Sequence, residues 1–229
     1  MVTRVGPGVQ GFAPGQAVVG IAHGTFATHV LASAALMVTR PPGLAAAAAA
    51  GVPIAFLTAQ YALHEVAAIR AGDRVLVHAA AGGVGIAAVQ LAQEAGAEVF
   101  ATAGSPEKHA HLRALGVRHV FSSRTPDFVD AIRAATGGRG VDIVLNSLTG
   151  AFIPSSLEVL AEGGRFVEIG RLGIWEPAAV RAVRPDVSYT VLFMGDVFAD
   201  QPDLTRALLQ DVLARIGSGV LRPLPVSRS

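Results

Sequence analysis

Residues 74–85 read Arg-Val-Leu-Val-His-Ala-Ala-Ala-Gly-Gly-Val-Gly, an apolar run that ends in a glycine turn. A helix-forming run, residues 86–95, follows at once. Ala80, Gly82 and Gly85 occupy the three positions of the G-x-G-x-x-G spacing, with alanine at the first. In a strand–turn–helix unit these small residues permit a tight turn, close approach of a pyrophosphate and packing of helix on strand. The stretch therefore predicts a dinucleotide-binding turn with the phosphates at a helix N-terminus.

Composition excludes several other classes of protein. The 229 residues are 52% hydrophobic and 15% charged with a formal net charge of +1, so no nucleic-acid surface is expected. Without cysteine the chain has neither disulfides nor thiolate ligands for zinc, and its seven histidines show no metal-ligand spacing with acids. We therefore expect no bound metal.

The apolar run 44–63 is about long enough to cross a bilayer. Its first half is alanine, however, and Gly-Val-Pro at 51–53 interrupts it. The strand–helix alternation that follows also requires helices buried against a sheet. We expect neither a membrane span nor a membrane partner. Because residues 1–15 lack the apolar block of a signal peptide, the expected location is cytoplasmic.

From residue 73 onward the sequence alternates between strand-like and helix-like segments. The predicted strands are 74–79, 98–103, 118–121, 141–145, 164–169 and 188–193. The predicted helices are 84–95, 106–115, 126–135, 151–161, 176–183 and 202–216. Six strands joined by helical crossovers predict an α/β fold with a doubly wound, parallel six-stranded Rossmann sheet. A closed α/β barrel needs about 250 residues for itself, more than this region contains.

The first 40 residues differ from the rest, because Gly-Pro and Pro-Gly turns separate short apolar runs. Strands are predicted at 17–21, 27–31 and 34–38, and helices at 44–50 and 54–68. Pro-Pro-Gly at 41–43 predicts a boundary. The predicted domains are a β segment at 1–42, a dinucleotide-binding domain with leading helices at 43–218, and the start of a return to the β domain at 219–229. So small a β piece is expected to be part of a larger domain, incomplete at each end.

The tip of the second predicted strand indicates which dinucleotide binds. In sites that prefer NAD, an Asp or Glu there bonds the ribose 2′-hydroxyl. Here the strand runs into Gly-Ser-Pro-Glu-Lys at 104–108, with no acid at its tip. Ser105 can donate to a 2′-phosphate, and Lys108 and Arg124 can supply positive charge. The pattern favours NADPH, although Ser105 also fits a helix cap and Lys108 an ordinary surface side chain.

Two later motifs complete a resemblance to one family. Residues 136–148 read Thr-Gly-Gly-Arg-Gly-Val-Asp-Ile-Val-Leu-Asn-Ser-Leu, and residues 163–170 read Gly-Gly-Arg-Phe-Val-Glu-Ile-Gly. Together with 75–85, 52–59 and 219–226, they resemble the enoylreductase domains of modular type I polyketide synthases and animal-type fatty acid synthases. These domains form a zinc-free branch of the medium-chain dehydrogenase/reductases. The resemblance covers essentially the whole chain.

The resemblance implies a function and its partners. It implies NADPH-dependent reduction of a trans-2-enoyl thioester carried on an acyl carrier protein during polyketide elongation, with neighbouring synthase domains as further partners. It also makes 1–42 an incomplete GroES-like β piece. Asn146 matches an asparagine near the nicotinamide and Thr58 a threonine of the cofactor cleft, although Asn146 also fits a turn and Thr58 a helix hydrogen bond. The expected cofactor-binding residues are Thr58, Ala80, Ala81, Gly82, Gly83, Val84, Gly85, Thr102, Ser105, Lys108, Arg124, Asn146 and Gly170.

The chain departs from this family at the proposed proton-delivery groups. Arg171 stands where the family has a lysine, and the position of a family aspartate falls at Phe193, three residues before Asp196. Arginine stays protonated, so it can stabilise an enolate but is a poor proton donor. Arg171 and Asp196 are the catalytic candidates. A plain loop role for Arg171 and a proton taken from water both stay open.

Three functions remain at this point. The first is a polyketide-synthase enoylreductase, and the second is a free-standing NADPH:quinone reductase of the same superfamily. The third is a non-catalytic remnant that binds NADPH weakly or not at all, which the two departures at Arg171 and Phe193 would permit.

Overall fold

The computed structural model describes residues 1–226. The chain forms two compact units, one from Met1–Leu57 together with the segment from Met194 onward, and one from Thr58–Phe193. The predicted domain boundaries, after residue 42 and before residue 219, stay a prediction. Residues 227–229 of the last predicted segment lie outside the described residues.

The first unit begins with a small antiparallel sheet of β1 (Val18–Gly20) and β2 (Met37–Thr39). The strand predicted at 27–31 is wrong, since no strand forms there. Its apolar side chains find no surface to pack on, and Leu31 is 98% exposed. The segment predicted as a strand at 34–38 begins instead as a 3-10 turn that leads into β2.

Helices α1 (Ala46–Ala50) and α2 (Val52–Gln60) follow, and α2 continues as a π-helix over Tyr61–Val66. This confirms the two helices predicted in the region. Arg165 stabilises the end of the π-helix: its Nη1 donates to the Ala67 carbonyl at 2.8 Å, and its Nη2 pairs with the Asp73 carboxylate at 3.0 Å. A cationic side chain thus satisfies carbonyls that a helix leaves open at its C-terminus.

The second unit is built on a six-stranded sheet in which all neighbouring strands are parallel. Its strands are β3 (Arg74–Val77), β4 (Glu98–Ala103), β5 (His119–Ser122), β6 (Val141–Asn146), β7 (Leu160–Glu168) and β8 (Ser188–Val191). The order β5-β4-β3-β6-β7-β8 confirms the predicted doubly wound Rossmann sheet. The chain adds β4 and β5 on one side of β3 and then β6, β7 and β8 on its other side, so the order of addition reverses between β3 and β6. Ligands of such sheets bind at this point, outside the carboxyl ends of the strands.

Helices connect the strands in the order that the alternation predicts. They are α3 (Gly83–Glu94), α4 (Pro106–Ala114), α5 (Phe128–Ala135), α6 (Phe152–Val159) and α7 (Pro177–Val183). The last three contribute to one continuous core with the strands. Its buried residues are Leu76, Phe100, Phe128, Ile132, Val141, Val144, Ile153, Leu157, Val159, Leu160, Phe166 and Val180.

Three strand boundaries of the large sheet differ by two or more residues from their predicted positions. β3 ends at Val77 instead of 79 because His78 and Ala79 already belong to the turn, where Ala79 has a φ of +48°. β8 ends two residues before the predicted 193. β7 begins four residues before the predicted 164, because its register with β6 shifts between Val141 and Ile143 and leaves residues 161–164 as a bulge.

Two helices of the first unit follow β8. The helix predicted at 202–216 is α9 (Pro202–Gly217), whereas α8 (Met194–Asp200) was not predicted. Only Met194 and Val197 of α8 are buried, and one apolar pair is too short a pattern to indicate a helix. Within residues 1–226, no helix combines the length and the apolar character that a bilayer crossing requires. The apolar run at 44–63 is divided by Gly51 between α1 and α2.

Candidate functional site

The glycine turn lies at the carboxyl end of β3, beside the ends of β4 and β6. The Ala80 N–H donates to the Thr102 carbonyl at 2.9 Å, and the His78 N–H donates to the Leu145 carbonyl at 3.0 Å. Ala79, and not Ala80, adopts the left-handed backbone conformation. An alanine is therefore tolerated at the first position of the glycine motif, because the unusual backbone conformation falls one residue earlier.

The second and third glycines meet different surroundings. A Cβ on Gly85 would lie 2.5 Å from the Ala80 Cα, so only glycine lets α3 pack this closely on the turn. A Cβ on Gly82 would find the Ala79 carbonyl oxygen at 3.3 Å and otherwise open space. Gly82 caps α3 without a side-chain hydrogen bond, which leaves first-turn N–H groups of the helix open to an anion. Open space beside such N–H groups fits a pyrophosphate.

A buried hydrogen-bond chain through His78 supports this turn from below. The ring nitrogens of His78 lie 3.0 Å from Thr102 Oγ1 and 2.7 Å from Ser156 Oγ. Ser156 Oγ in turn donates to the Phe152 carbonyl at 2.6 Å, and Thr102 Oγ1 accepts the Ala79 N–H at 3.3 Å. The chain joins β3, β4 and α6 directly beneath the glycine turn.

The directions of these hydrogen bonds follow from the donors available. The Ser156 hydroxyl hydrogen goes to the Phe152 carbonyl, so Ser156 Oγ accepts from His78 Nε2–H. His78 Nδ1 is then the acceptor, and Thr102 donates to it. Burial lowers the pKa of His78 to about 3, because the imidazolium would lose its hydration. His78 is neutral and has the packing and hydrogen-bonding role expected of it, not a proton-transfer role.

Asn146 and Glu168 are paired residues on neighbouring strands, at the carboxyl ends of β6 and β7. Asn146 Nδ2 donates to Glu168 Oε2 at 2.5 Å and to the Leu148 carbonyl at 2.8 Å. Asn146 Oδ1 accepts the Leu148 N–H at 3.1 Å, and Glu168 Oε1 accepts the Gly170 N–H at 2.6 Å. The Asn146 side chain thus shapes the turn after β6, which is the turn role that its position in the sequence also allowed.

The sequence reasoning missed Glu168. It is fully buried, and desolvation raises its pKa above the ordinary value while the hydrogen bonds from Asn146 and Gly170 act in the opposite direction. One signal was present: a single acid stands within the apolar run Phe-Val-Glu-Ile at 166–169. A lone charged residue at the end of a buried strand is unfavourable unless it has partners.

The residues proposed for the 2′-phosphate gather at the carboxyl ends of β4 and β5. Arg124 Nε lies 3.4 Å from the Gly104 carbonyl, one residue before Ser105. Ser105 caps α4 by accepting the Lys108 N–H at 3.4 Å, and the Lys108 side chain is exposed. Ser105 also lowers the pKa of the Glu107 carboxyl through a hydrogen bond. The cap role of Ser105 is therefore present, and two cations lie at the same strand tips.

The two positions that depart from the family pattern are in contact. The Arg171 guanidinium lies over the Phe193 ring, with its central carbon 3.8 Å from the ring centroid. A cation over an aromatic face is attracted by the ring's quadrupole and keeps its charge. Asp196 lies on the exposed first turn of α8, which belongs to the other compact unit.

The remaining expected residues lie in the second unit as well. Thr58 is buried in α2, just before the π-helix, and Thr102 is buried with its hydroxyl engaged by His78. Ala81, Gly83 and Val84 belong to the glycine turn and the first turn of α3. Their contacts with a cofactor stay a prediction.

Comparison with known proteins shows the family of this chain. A protein-family model described as zinc-binding dehydrogenase matches residues 83–209. This chain belongs to that family. It is 48% identical over 229 residues to erythronolide synthase EryA2 of Saccharopolyspora erythraea, covering 99% of this chain and 6% of that protein. The chain thus spans only a small part of the curated relative that it matches.

Two solved structures are similar to this chain over nearly its whole length. The CurK enoyl reductase has a TM-score of 0.90 at 45% identity, covering 97% of this chain and 67% of that one. Mycobacterial Rv1454c, solved in complex with NADPH, has a TM-score of 0.88 at 28% identity, covering 96% of this chain and 70% of that one. The resemblance to the enoylreductase domains of polyketide synthases is confirmed.

The family name implies zinc, and the residues present do not fit it. Within residues 1–226, no group of three or more His, Asp or Glu side chains is arranged to hold a metal ion. The chain also has no cysteine. No step of the chemistry below depends on a metal.

The contrast between Gly85 and Gly82 can be tested by stability. We expect Gly85→Ala to lower the free energy of unfolding by about 2–3 kcal/mol, because the new methyl overlaps the Ala80 backbone. Gly82→Ala, the matched control, should cost less than about 1 kcal/mol, the size of a weakened helix cap. Urea unfolding measures both, and equal losses would contradict the close packing at Gly85.

Burial of neutral His78 predicts a pH-dependent stability. The unfolded chain binds a proton at His78 below about pH 6.5, whereas the folded chain does so only near pH 3. The stability that this histidine contributes is complete above pH 6.5 and decreases as the pH falls, by about 2 kcal/mol at pH 5. In His78→Gln, the difference in unfolding free energy between pH 7.5 and pH 5 should shrink by that amount.

Urea unfolding at the two pH values checks this expectation. His23→Gln, which removes a histidine from an exposed loop, is the control. An unchanged pH difference in His78→Gln would show that His78 does not titrate on unfolding.

Proposed function

We propose that this chain carries out NADPH-dependent reduction of a trans-2-enoyl thioester. The observation that carries the proposal is the likeness to the CurK enoyl reductase, at 45% identity over 97% of the chain. The geometry supports it, because the glycine turn, the β4 and β5 tips and the ends of β6 and β7 all lie on the carboxyl edge of one parallel sheet.

NADPH fits the residues at this edge. Its pyrophosphate would lie in the open space at Gly82, against the first turn of α3. Its 2′-phosphate would meet Ser105, Lys108 and Arg124 at the strand tips, where no acid competes for the ribose. The nicotinamide would lie toward the turn that Asn146 shapes, between the ends of β3 and β6. The dinucleotide in the complex of Rv1454c supports the choice of NADPH.

When bound, NADPH supplies the hydride that the β-carbon of the alkene receives. Negative charge then develops on the thioester oxygen, and a fixed cation stabilises it most if no reorientation is needed. Arg171 is the proposed cation, with its guanidinium over the Phe193 ring. Arginine is a poor proton donor, so water is the proposed source of the α-carbon proton and Asp196 the alternative source.

The substrate is proposed to arrive on an acyl carrier protein, with neighbouring synthase domains beside this one. The support is that EryA2 is a synthase of which this chain matches a small part. Thr58 and Gly170 complete the proposed cofactor cleft, and Asp196 is the second proposed catalytic candidate. Direct binding measurements on these residues would test each assignment.

Cofactor selectivity tests the role of the strand tips. Lys108 is the single lysine among 229 residues, at the start of α4. We expect Lys108→Glu to weaken NADPH binding by about tenfold or more and NADH binding by less than about twofold, because only NADPH carries the 2′-phosphate. Nicotinamide fluorescence titration gives both dissociation constants.

Arg113→Glu is the matched control, with the same charge change in the last turn of α4. It should leave the preference for NADPH intact. Because Lys108 is the only lysine, acetylation by an amine reagent can also be followed by mass spectrometry, and NADP⁺ should protect Lys108 where NAD⁺ does not. Equal weakening of both cofactors in Lys108→Glu would contradict the assignment.

Turnover tests the reaction itself. With NADPH and crotonyl-pantetheine, absorbance of the reduced nicotinamide should fall, and Arg171→Met should lower kcat by at least about tenfold with the NADPH dissociation constant unchanged. Arg171→Lys, which keeps the positive charge, should retain more of the activity. Absence of both NADPH oxidation and NADPH binding in the unmodified chain would favour the non-catalytic alternative.

A further inference from the structure

Glu168 is an unusual buried carboxyl group. It is the last residue of β7 and is fully buried; among residues 1–226 no other Asp or Glu is. Removing a carboxylate from water is costly unless other groups replace its hydration. No lysine, arginine or histidine within the described chain forms an ion pair with it. Its hydration is therefore replaced by hydrogen bonds alone.

Both hydrogen bonds come from donors that cannot reverse their direction. Glu168 Oε2 accepts from Asn146 Nδ2 at 2.5 Å, and Oε1 accepts from the Gly170 backbone N–H at 2.6 Å. Asn146 cannot turn its amide over, because its Oδ1 already accepts the Leu148 N–H and its Nδ2 also donates to the Leu148 carbonyl. A carboxylate has two acceptor oxygens, one for the Asn146 amide and one for the Gly170 N–H. Glutamine, the side chain of the same length, has only one acceptor oxygen.

Two residues near Glu168 bond to other groups. Tyr189, on the adjacent strand β8, has a pKa raised to about 12 by burial and then by the charge of Glu168, and it donates its hydroxyl hydrogen to the Trp175 carbonyl at 3.0 Å. Arg171 follows Gly170 directly, but its guanidinium is turned to Phe193. Neither residue replaces Asn146 or Gly170 as a partner of the carboxylate.

We propose that Glu168 is a positioning residue, whose carboxylate joins the loop after β6 to the loop after β7. Through Asn146 it holds the backbone at Leu148, and through the Gly170 N–H it holds the step that leads into Arg171. Glu168 therefore sets the spacing between the proposed nicotinamide side of the cleft and the proposed oxyanion-stabilising cation. The consequence for NADPH rests on the proposed function, whereas the loop geometry does not.

An exchange of hydrogen-bonding groups tests this pairing. In Glu168→Gln, either orientation of the amide places its NH₂ against an N–H donor, of Asn146 or of Gly170. In Asn146→Asp, a carboxylate faces a carboxylate. The double variant Asn146→Asp with Glu168→Gln restores complementarity between the two side chains and the single negative charge, because the Gln NH₂ donates to the Asp carboxylate and the Gln carbonyl accepts the Gly170 N–H. The Asp carboxylate still accepts the Leu148 N–H, whose exchange is measured, although the Leu148 carbonyl loses its donor.

Two readouts separate the inference from the proposed function. Amide hydrogen exchange at Leu148 and Gly170, measured without nucleotide, should become at least about tenfold faster in each single variant and return to within about threefold of the unmodified chain in the double variant. NADPH affinity should follow the same pattern. If the unmodified chain binds no NADPH, the proposed function fails while the exchange data still decide the pairing.

The inference is overturned if the double variant is as impaired as the two single changes combined. It is also overturned if neither single variant changes the exchange of the two amides. Should the single variants fail to fold, the double variant decides: a folded double variant supports the pairing, and an unfolded one contradicts it.

Discussion

The close approach of α3 to the turn before it, at Gly85, is the constraint on which the second unit depends. A side chain at Gly85 would occupy the position of the Ala80 backbone. With that contact, the helix begins directly at the carboxyl end of β3, and its first N–H groups face open space at Gly82. Because all strands of the sheet are parallel, the loops that follow β4, β5, β6 and β7 lie at the same edge as the glycine turn. The position of one helix therefore determines where a phosphate can bind.

Two buried polar networks hold this edge by different physical means. The chain through His78 is neutral, and burial keeps it so, because the charged imidazolium would lose its hydration. The pair of Asn146 and Glu168 contains a charge, and N–H donors compensate it without a cation. In both networks the hydrogen-bond donors named above have acceptors, which favours a single arrangement of the side chains. Networks that are fully satisfied in this way make a unique and rigid local structure.

The contact of Arg171 with Phe193 joins the two positions at which the family resemblance implies a lysine and an aspartate. A guanidinium over a ring face is attracted to it and keeps its positive charge, and arginine is a poor proton donor. The arrangement suits stabilisation of negative charge better than proton delivery. The two departures are thus physically consistent with each other: an aromatic ring is a suitable partner for a permanent cation.

Much of the fold could be predicted from the sequence, since it depends on local patterns. Alternation of apolar strands with helical runs predicted all six strands of the large sheet, and their parallel order followed from the helical crossovers. The glycine spacing predicted the turn after β3. The same reasoning failed at 27–31, where an apolar run has no surface to pack on, and at α8, where one buried pair is too weak a pattern.

The candidate site, like the fold, was predicted from the sequence only in part. The sequence by itself determined which residues stand at the strand ends, including Ser105, Asn146 and Arg171, because strand ends follow from the periodicity of the chain. Only the tertiary structure decided what those side chains touch: Asn146 with Glu168, 22 positions later, and Arg171 with Phe193, also 22 positions later. Each contact depends on the register and order of strands that are distant in the chain. Hydrogen bonds and stacking over a few ångströms therefore appear only once the sheet is assembled.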